Sequence, residues 1–249
     1  MRVKFNAAFL FIALSVRAFS QPESDSSSLS RTVLLASGAV VVTSLLIASD
    51  QSIYDDVQSA RSNSHLVRSF GPAATMLGDG FFVSALFAGF TGYGAWQRDE
   101  TAYTVGLVGL ESFLLSGATT QILKFSFGRE RPFVSSRVGG SWRGPSLPGD
   151  GNFSFPSGHA TSAFAAATVF SEYYKGRWVP YVAYSLAVCV GLSRIVEQQH
   201  WASDTFVGGI IGYYSARLVI RWNKEGSPFS VLPVATPNFY GVSLAYRIE

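Results

Sequence analysis

Apolar residues in this chain gather into long blocks instead of alternating with polar ones. Six blocks stand out, at residues 32–48, 73–96, 102–123, 160–174, 179–192 and 205–220. Each is rich in Ala, Gly, Ser and Leu, lacks a period of two, and outruns an ordinary strand, so the pattern predicts six helices. Their small residues suit close helix–helix approach. Residues 50–72 are polar with scattered apolar positions and fit a short interfacial or surface helix. Residues 133–155 carry Gly139, Gly140, Gly144, Gly149, Gly151, Pro145 and Pro148, which predicts a loop long enough to cover a site. After Lys224 the pattern changes, and residues 229–234 and 240–248 read as a terminal strand pair around Pro233, Pro237 and Asn238. No internal repeat is present.

The first twenty residues have the three parts of a secretory signal. Arg2 and Lys4 precede an apolar centre at residues 5–16, and Ala18-Phe19-Ser20 forms a small-residue cleavage pattern before Gln21. The competing reading is an uncleaved anchor. The expected organisation is therefore a signal at 1–20, a flexible Ser-rich lead-in at 21–31, a helical domain at 32–224 and a strand-like tail at 225–249.

Composition sharpens the picture. Charged residues make up only 14% of the 249, against about 25% in an ordinary globular domain. Little surface is left for water, which points to lipid contact or a helical bundle with a very apolar interior. The net charge of +3 is too small for a nucleic-acid partner. Cys189 stands alone within an apolar run, so no intramolecular disulfide forms, and no Cys or His cluster has metal-ligand spacing.

If all six blocks cross a membrane, Arg98, Lys175, Arg177, Arg221 and Lys224 fall on one side. Lys124, the 156–159 cluster and His200 fall on the other, outside the cytoplasm by the positive-inside bias. Arg61, Arg68, Arg137 and Arg143 run against that bias, and a cleaved signal breaks the parity. Several blocks are also short for a span of about 20 residues. A soluble bundle stays open as the alternative.

Three clusters carry the chemistry: Lys124 with Arg131-Pro132, then Pro156-Ser157-Gly158-His159, then Ser193-Arg194 with His200 and Asp204. Placed on a helix, His200 and Asp204 share a face. A carboxylate there fixes the imidazole tautomer and leaves the second nitrogen a free lone pair; the plain alternative is a surface ion pair of little energy. Ser157 and Gly158 begin the fourth helix, where free N–H groups bind anions, although Ser157 also suits a helix cap. Lys124, Arg131 and Arg194 supply fixed cations for phosphoryl oxygens; Lys124 also suits a snorkelling interfacial lysine. Elsewhere, Arg129 lies outside these clusters and reads as bound to solvent or lipid headgroups, His65 as surface, Glu111 as a structural hydrogen-bonding group, and Asp79 as a helix cap.

The spacings Lys-x6-Arg-Pro, Pro-Ser-Gly-His and Ser-Arg-x5-His-x3-Asp, complete and in order from Lys124 to Asp204, resemble the signature of the type-2 phosphatidic acid phosphatase and vanadium haloperoxidase superfamily. The resemblance implies an all-α, six-helix bundle, membrane-embedded in its lipid phosphatase branch. It implies His200 as nucleophile forming a phospho-histidine, Asp204 as its orienting partner and His159 as the acid. Lys124, Arg131, Ser157, Gly158 and Arg194 then bind phosphate, with no metal and no cofactor. The expected function is an exported lipid phosphate monoester or pyrophosphate hydrolase, in a bacterial inner membrane with its site facing the periplasm. A vanadate-dependent haloperoxidase and a soluble or outer-membrane-associated periplasmic acid phosphatase use the same residues and remain alternatives.

Overall fold

The computed structural model describes residues 28–135, 139–146, 151–176, 178–225, 229–236 and 239–246. The expected signal at 1–20, and residues 21–27 of the lead-in, lie outside the described residues. Among the described residues seven α-helices follow one another: α1 (Ser28–Asn63), α2 (His65–Thr75), α3 (Gly80–Gln97), α4 (Glu100–Phe127), α5 (Gly158–Tyr173), α6 (Val179–Val196) and α7 (Ala202–Glu225). The chain divides into two units, Met1–Val42 and Thr43–Glu249. Within the first, the described residues are all helical and expose Val33, Leu34, Val40 and Val41. The second contains the rest of α1 and every other element.

The helices differ from the six expected in two ways, the second of which adds one to their number. The polar residues after position 49 do not end α1, which runs on to Asn63 because Asp50 is a buried anchor there, 1% exposed. The block at 73–96 is broken by a single 3₁₀ turn, Met76–Gly78. Asp79 then restarts the chain as α3, its carboxylate accepting the Phe81 and Phe82 N–H groups as an N-cap.

The core forms where α3, α4, α5 and α7 meet. Val83 and Phe87 of α3 join Val105 and Val108 of α4, Val169 of α5 and Val219 of α7, all nearly excluded from solvent. Each such side chain contributes about 1.5–3 kcal/mol. The α5–α7 contact is closer than side chains allow: a Cβ on Gly212 would stand 2.2 Å from the Thr161 carbonyl, and one on Gly208 would stand 2.5 Å from that of Ser157. Two glycines one turn apart thus bring the start of α5 onto the first turns of α7. Residues Phe229–Thr236 and Phe239–Tyr246 pair antiparallel as β1 and β2, Phe229 opposite Tyr246.

Among the described residues two helices are long and apolar enough to cross a membrane, Val33–Asn63 and Val179–Val196. The bent pair α2–α3 makes a third if it acts as one span. Large apolar side chains stand outward over this surface, including Leu45, Phe81, Trp96, Ile122, Trp178 and Tyr181.

Candidate active site

The site is built where α4 ends, α5 begins and the α6–α7 connection turns. Gly128, left-handed at φ 54°, closes α4 through its N–H to the Lys124 carbonyl and redirects the chain so that Arg129 enters the interior. Lys124 lies in that last turn, 6% exposed. Its Nζ donates to the Phe153 carbonyl at 2.5 Å and approaches that of Ser154 at 3.5 Å. The far end of the 133–155 loop therefore hangs on Lys124. Its middle is held by Trp142, which bridges to Arg129 and packs edge-on against Phe127 and Phe155.

Ser157 caps α5, its Oγ accepting the Ala160 N–H, while its own N–H donates to the Asp204 carbonyl at 2.9 Å. The Gly158 and His159 N–H groups donate to nothing among the described residues. A Cβ on Gly158 would meet open space. Two such donors at a helix N-terminus beside an opening are able to seat an anion. A cavity of about 220 Å³ adjoins it, bounded by Gly78, Phe113, Thr120, Gly158 and His159.

His200 does not sit on a helix with Asp204, contrary to the spacing argument. The chain leaves α6 through Gln198, at φ 61°, and His200 precedes α7, its N–H donating to the Arg194 carbonyl at 3.2 Å. The two side chains still approach, because Asp204 in the first turn of α7 reaches back and accepts the Trp201 N–H at 2.9 Å. His200 Nδ1 lies 3.6 Å from Asp204 Oδ2, longer than a hydrogen bond, and both side chains are almost fully buried. Burial pushes the His200 imidazole down to about 3, against the upward pull of Asp204, so the ring is neutral. Burial works to raise Asp204, but His200, Arg129 and Ser154 hold its carboxyl below the ordinary value. The pair is a neutral imidazole facing a carboxylate.

The two histidines belong to one cluster. Lys124 and Arg131 act on the charge of both rings, and Arg194 on that of His159. His159 is pushed down to about 4, first by burial and then by Arg194. Lys124 falls to about 7, first by burial and then by Arg131. Burial is the larger cause in both, and repulsion from the neighbouring cations adds to it. Arg131 donates to Gln199 Oε1 at 2.5 Å. Arg194 donates through Nη1 to Glu197 at 2.5 Å and to Thr75 at 2.9 Å, while its buried Nε has no partner among the described residues. Ser193 shares Thr75 with it at 3.0 Å.

Arg129 departs most from the sequence reading. It meets neither solvent nor lipid, being 0% exposed. One Nη donates to Asp204 Oδ1 at 2.7 Å and the other to Asp50 Oδ2 at 2.7 Å, so a single guanidinium ties α1 to α7. Ser203 completes the group, donating to Asp50 through its N–H at 2.9 Å and its Oγ at 2.5 Å. The signal for Asp50 was a carboxylate directly after an apolar block. His65 is exposed, and Glu111 accepts from Asn223 at 2.8 Å.

Helices packed around a buried imidazole–carboxylate pair, two of them long and apolar enough to cross a membrane, define a helical membrane protein. Residues 106–227, just under half of the chain, match the family model of the PAP2 superfamily. It is 36% identical over 116 residues to a lipid A 1-phosphatase of Porphyromonas gingivalis, a match covering 43% of this chain and 23% of that relative's length. Two solved structures share the fold at a TM-score of 0.54. LpxE of Aquifex aeolicus is 22% identical and matches over 69% of this chain and 94% of its own. A transmembrane PAP2-type phosphatidylglycerolphosphate phosphatase of Bacillus subtilis is 21% identical, over 76% and 95%.

Proposed function

We propose that this chain is an exported phosphatase that hydrolyses a lipid phosphate monoester or pyrophosphate through a phospho-histidine, without a metal. The observation that carries the reading is the neutral His200 ring buried beside ionised Asp204, within the field of Lys124 and Arg131. With Nδ1–H turned toward Asp204, the lone pair lies on Nε2. That lone pair attacks phosphorus, and the bond from phosphorus to the ester oxygen breaks. Its electron pair leaves on that oxygen together with a proton from His159. Water then attacks the phospho-histidine while His159 takes one of its protons. The P–N bond returns its pair to His200, and inorganic phosphate departs.

Lys124, Arg131, Arg194 and the N–H groups of Gly158 and His159 hold the non-bridging oxygens, on which transition-state charge is spread. A bound dianion offsets the cations that depress His159 and so raises it toward the range in which it can donate. The cavity beside His159 takes the leaving group.

A lipid substrate is supported by the outward apolar side chains and by the relative named lipid A 1-phosphatase. The site lies at the bundle end opposite Arg98, Lys175, Arg221 and Lys224, which favours a periplasmic site in a bacterial inner membrane. The test is phosphate release from detergent-solubilised phosphatidic acid, lipid A and a soluble monoester in the presence of a chelator. Activity that survives chelation and vanishes in His200→Ala supports the reading; wild-type rates in that variant overturn it.

A further inference from the structure

A second cavity, of about 310 Å³, lies beside Arg194 and is bounded by Arg61, Arg68, Pro72, Arg194, Glu197 and Gln199 but not by His159. Its walls are fixed by the fold. Gln58 Nε2 donates to the Ile195 carbonyl at 3.0 Å and Gln58 Oε1 accepts from Gln198 at 3.0 Å, which fastens the end of α1 to the α6–α7 connection. Arg61, one turn on, reaches the same Gln58 oxygen at 3.5 Å. Ser64 then caps α2, and Gly71 packs so closely on Glu197 that a Cβ there would stand 3.1 Å from its Cγ. Arg68 lies on the cavity wall, its guanidinium donating among the described residues to the Ser62 carbonyl at 3.3 Å.

The charges in this wall do not balance. Glu197 is the one carboxylate, and Arg194 already takes it at 2.5 Å. Arg61 and Arg68 form no ion pair with a carboxylate among the described residues, and Arg194 Nε is buried without an acceptor. A cation in the last turn of α1 is favoured by the helix dipole, but that accounts for Arg61 alone and not for three guanidiniums around one opening. Planar guanidinium forks match the oxygens of a phosphate, and the volume is that of a small ligand site. The cavity also shares Arg194 and Gln199 with the catalytic cluster, since Gln199 accepts from Arg131.

We infer that this cavity is a second anion subsite, which binds a phosphate group other than the one presented to His200. Its use in catalysis rests on the phosphatase reading; its binding of phosphate does not. The group comes either from elsewhere on the same substrate headgroup or from a neighbouring anionic lipid, and the two sources separate by experiment.

Calorimetric titration of the full-length protein in neutral detergent with inorganic phosphate should resolve two sites in the wild type and one in Arg61→Gln/Arg68→Gln. Unchanged binding in that variant overturns the inference. Loss of one site without turnover of any ester leaves the subsite standing and removes the phosphatase reading instead. In kinetics, the double variant should raise KM about tenfold for a lipid bearing two phosphates, with kcat kept and the monophosphate analogue unchanged. If the source is a neighbouring lipid, the variant should instead lose activation of the monophosphate by phosphatidylglycerol in mixed micelles. Arg61→Lys/Arg68→Lys, which keeps the charge without the fork, should fall between. Equal effects on all substrates with no dependence on phosphatidylglycerol contradict the assignment.

Discussion

Arg129 and Asp204 meet at 2.7 Å where neither side chain reaches solvent. The same guanidinium holds Asp50 of α1, so the carboxylate facing His200 is anchored through three segments distant in sequence. Trp142 and Trp201 lie near the Arg129 guanidinium carbon, with ring centroids at 4.7 and 5.4 Å. Under the proposed mechanism Arg129 is a positioning residue, because it touches Asp204 and no group assigned to the phosphate.

Removing Arg129 leaves two buried carboxylates without their cation. Arg129→Ala should cost about 3–5 kcal/mol of stability, read as a lowered melting temperature in detergent. Arg129→Lys supplies one point charge where a fork held two carboxylates, and should recover only part. A melting temperature unchanged in Arg129→Ala would contradict the network.

His159 should matter in proportion to the leaving group. His159→Ala should lower kcat about 10²–10⁴-fold on an alkyl phosphate. The loss should shrink on p-nitrophenyl phosphate, whose phenolate departs without a proton. Equal losses on both substrates would remove the acid role.

Anion affinity should depend on pH through Lys124. Its amine stands at about 7 in the free protein, and a bound phosphate dianion raises it. Binding therefore takes up a proton above pH 7, and affinity should fall as pH rises, by up to about tenfold per pH unit. Lys124→Gln should bind weakly at every pH and lose that slope. Vanadate inhibition measured from pH 7 to 9 checks both.

The free protein should also weaken in acid. His159 and His200 are held down at about 4 and about 3, against an ordinary value of 6.5. Below 6.5 the unfolded chain takes up protons that the folded chain refuses, so stability is full above 6.5 and declines as pH falls toward those values. Melting temperatures across pH 7 to 4 should show the decline, with a shallower slope in His159→Gln.

Gly212 tests the helix contact that carries the site. A Cβ there would stand 2.2 Å from a backbone oxygen, which cannot swing aside. Gly212→Ala should cost about 1–3 kcal/mol and lower kcat more than KM, because it separates α5, with Ser157 and His159, from α7, with Asp204. An unaffected variant would show that the two helices tolerate more distance.

The sequence made legible what depends on local pattern. Apolar blocks mark helices, and Asp79 and Ser157 cap them as their residue types suggest. The chemical clusters could be picked out because their spacings are short. What escaped depends on contacts across the fold. Residues 50–63 read as part of a separate surface helix and not as the continuation of α1, because their polar side chains face partners that no local window contains: Asp50 meets Arg129 and Gln58 meets Ile195. Arg129 looked free for the same reason. The His200–Asp204 approach was foreseen on the wrong element, since a four-residue spacing is satisfied equally by a helix face and by a carboxylate reaching back over its own N-terminus.

The most direct measurement is to quench the protein during turnover of a ³²P-labelled substrate and map the labelled residue. The account predicts phosphate on His200, stable to alkali, labile to acid, and absent in His200→Ala while His159→Ala still accumulates it from p-nitrophenyl phosphate. Label on another residue, or full turnover with none trapped at any time, would contradict it.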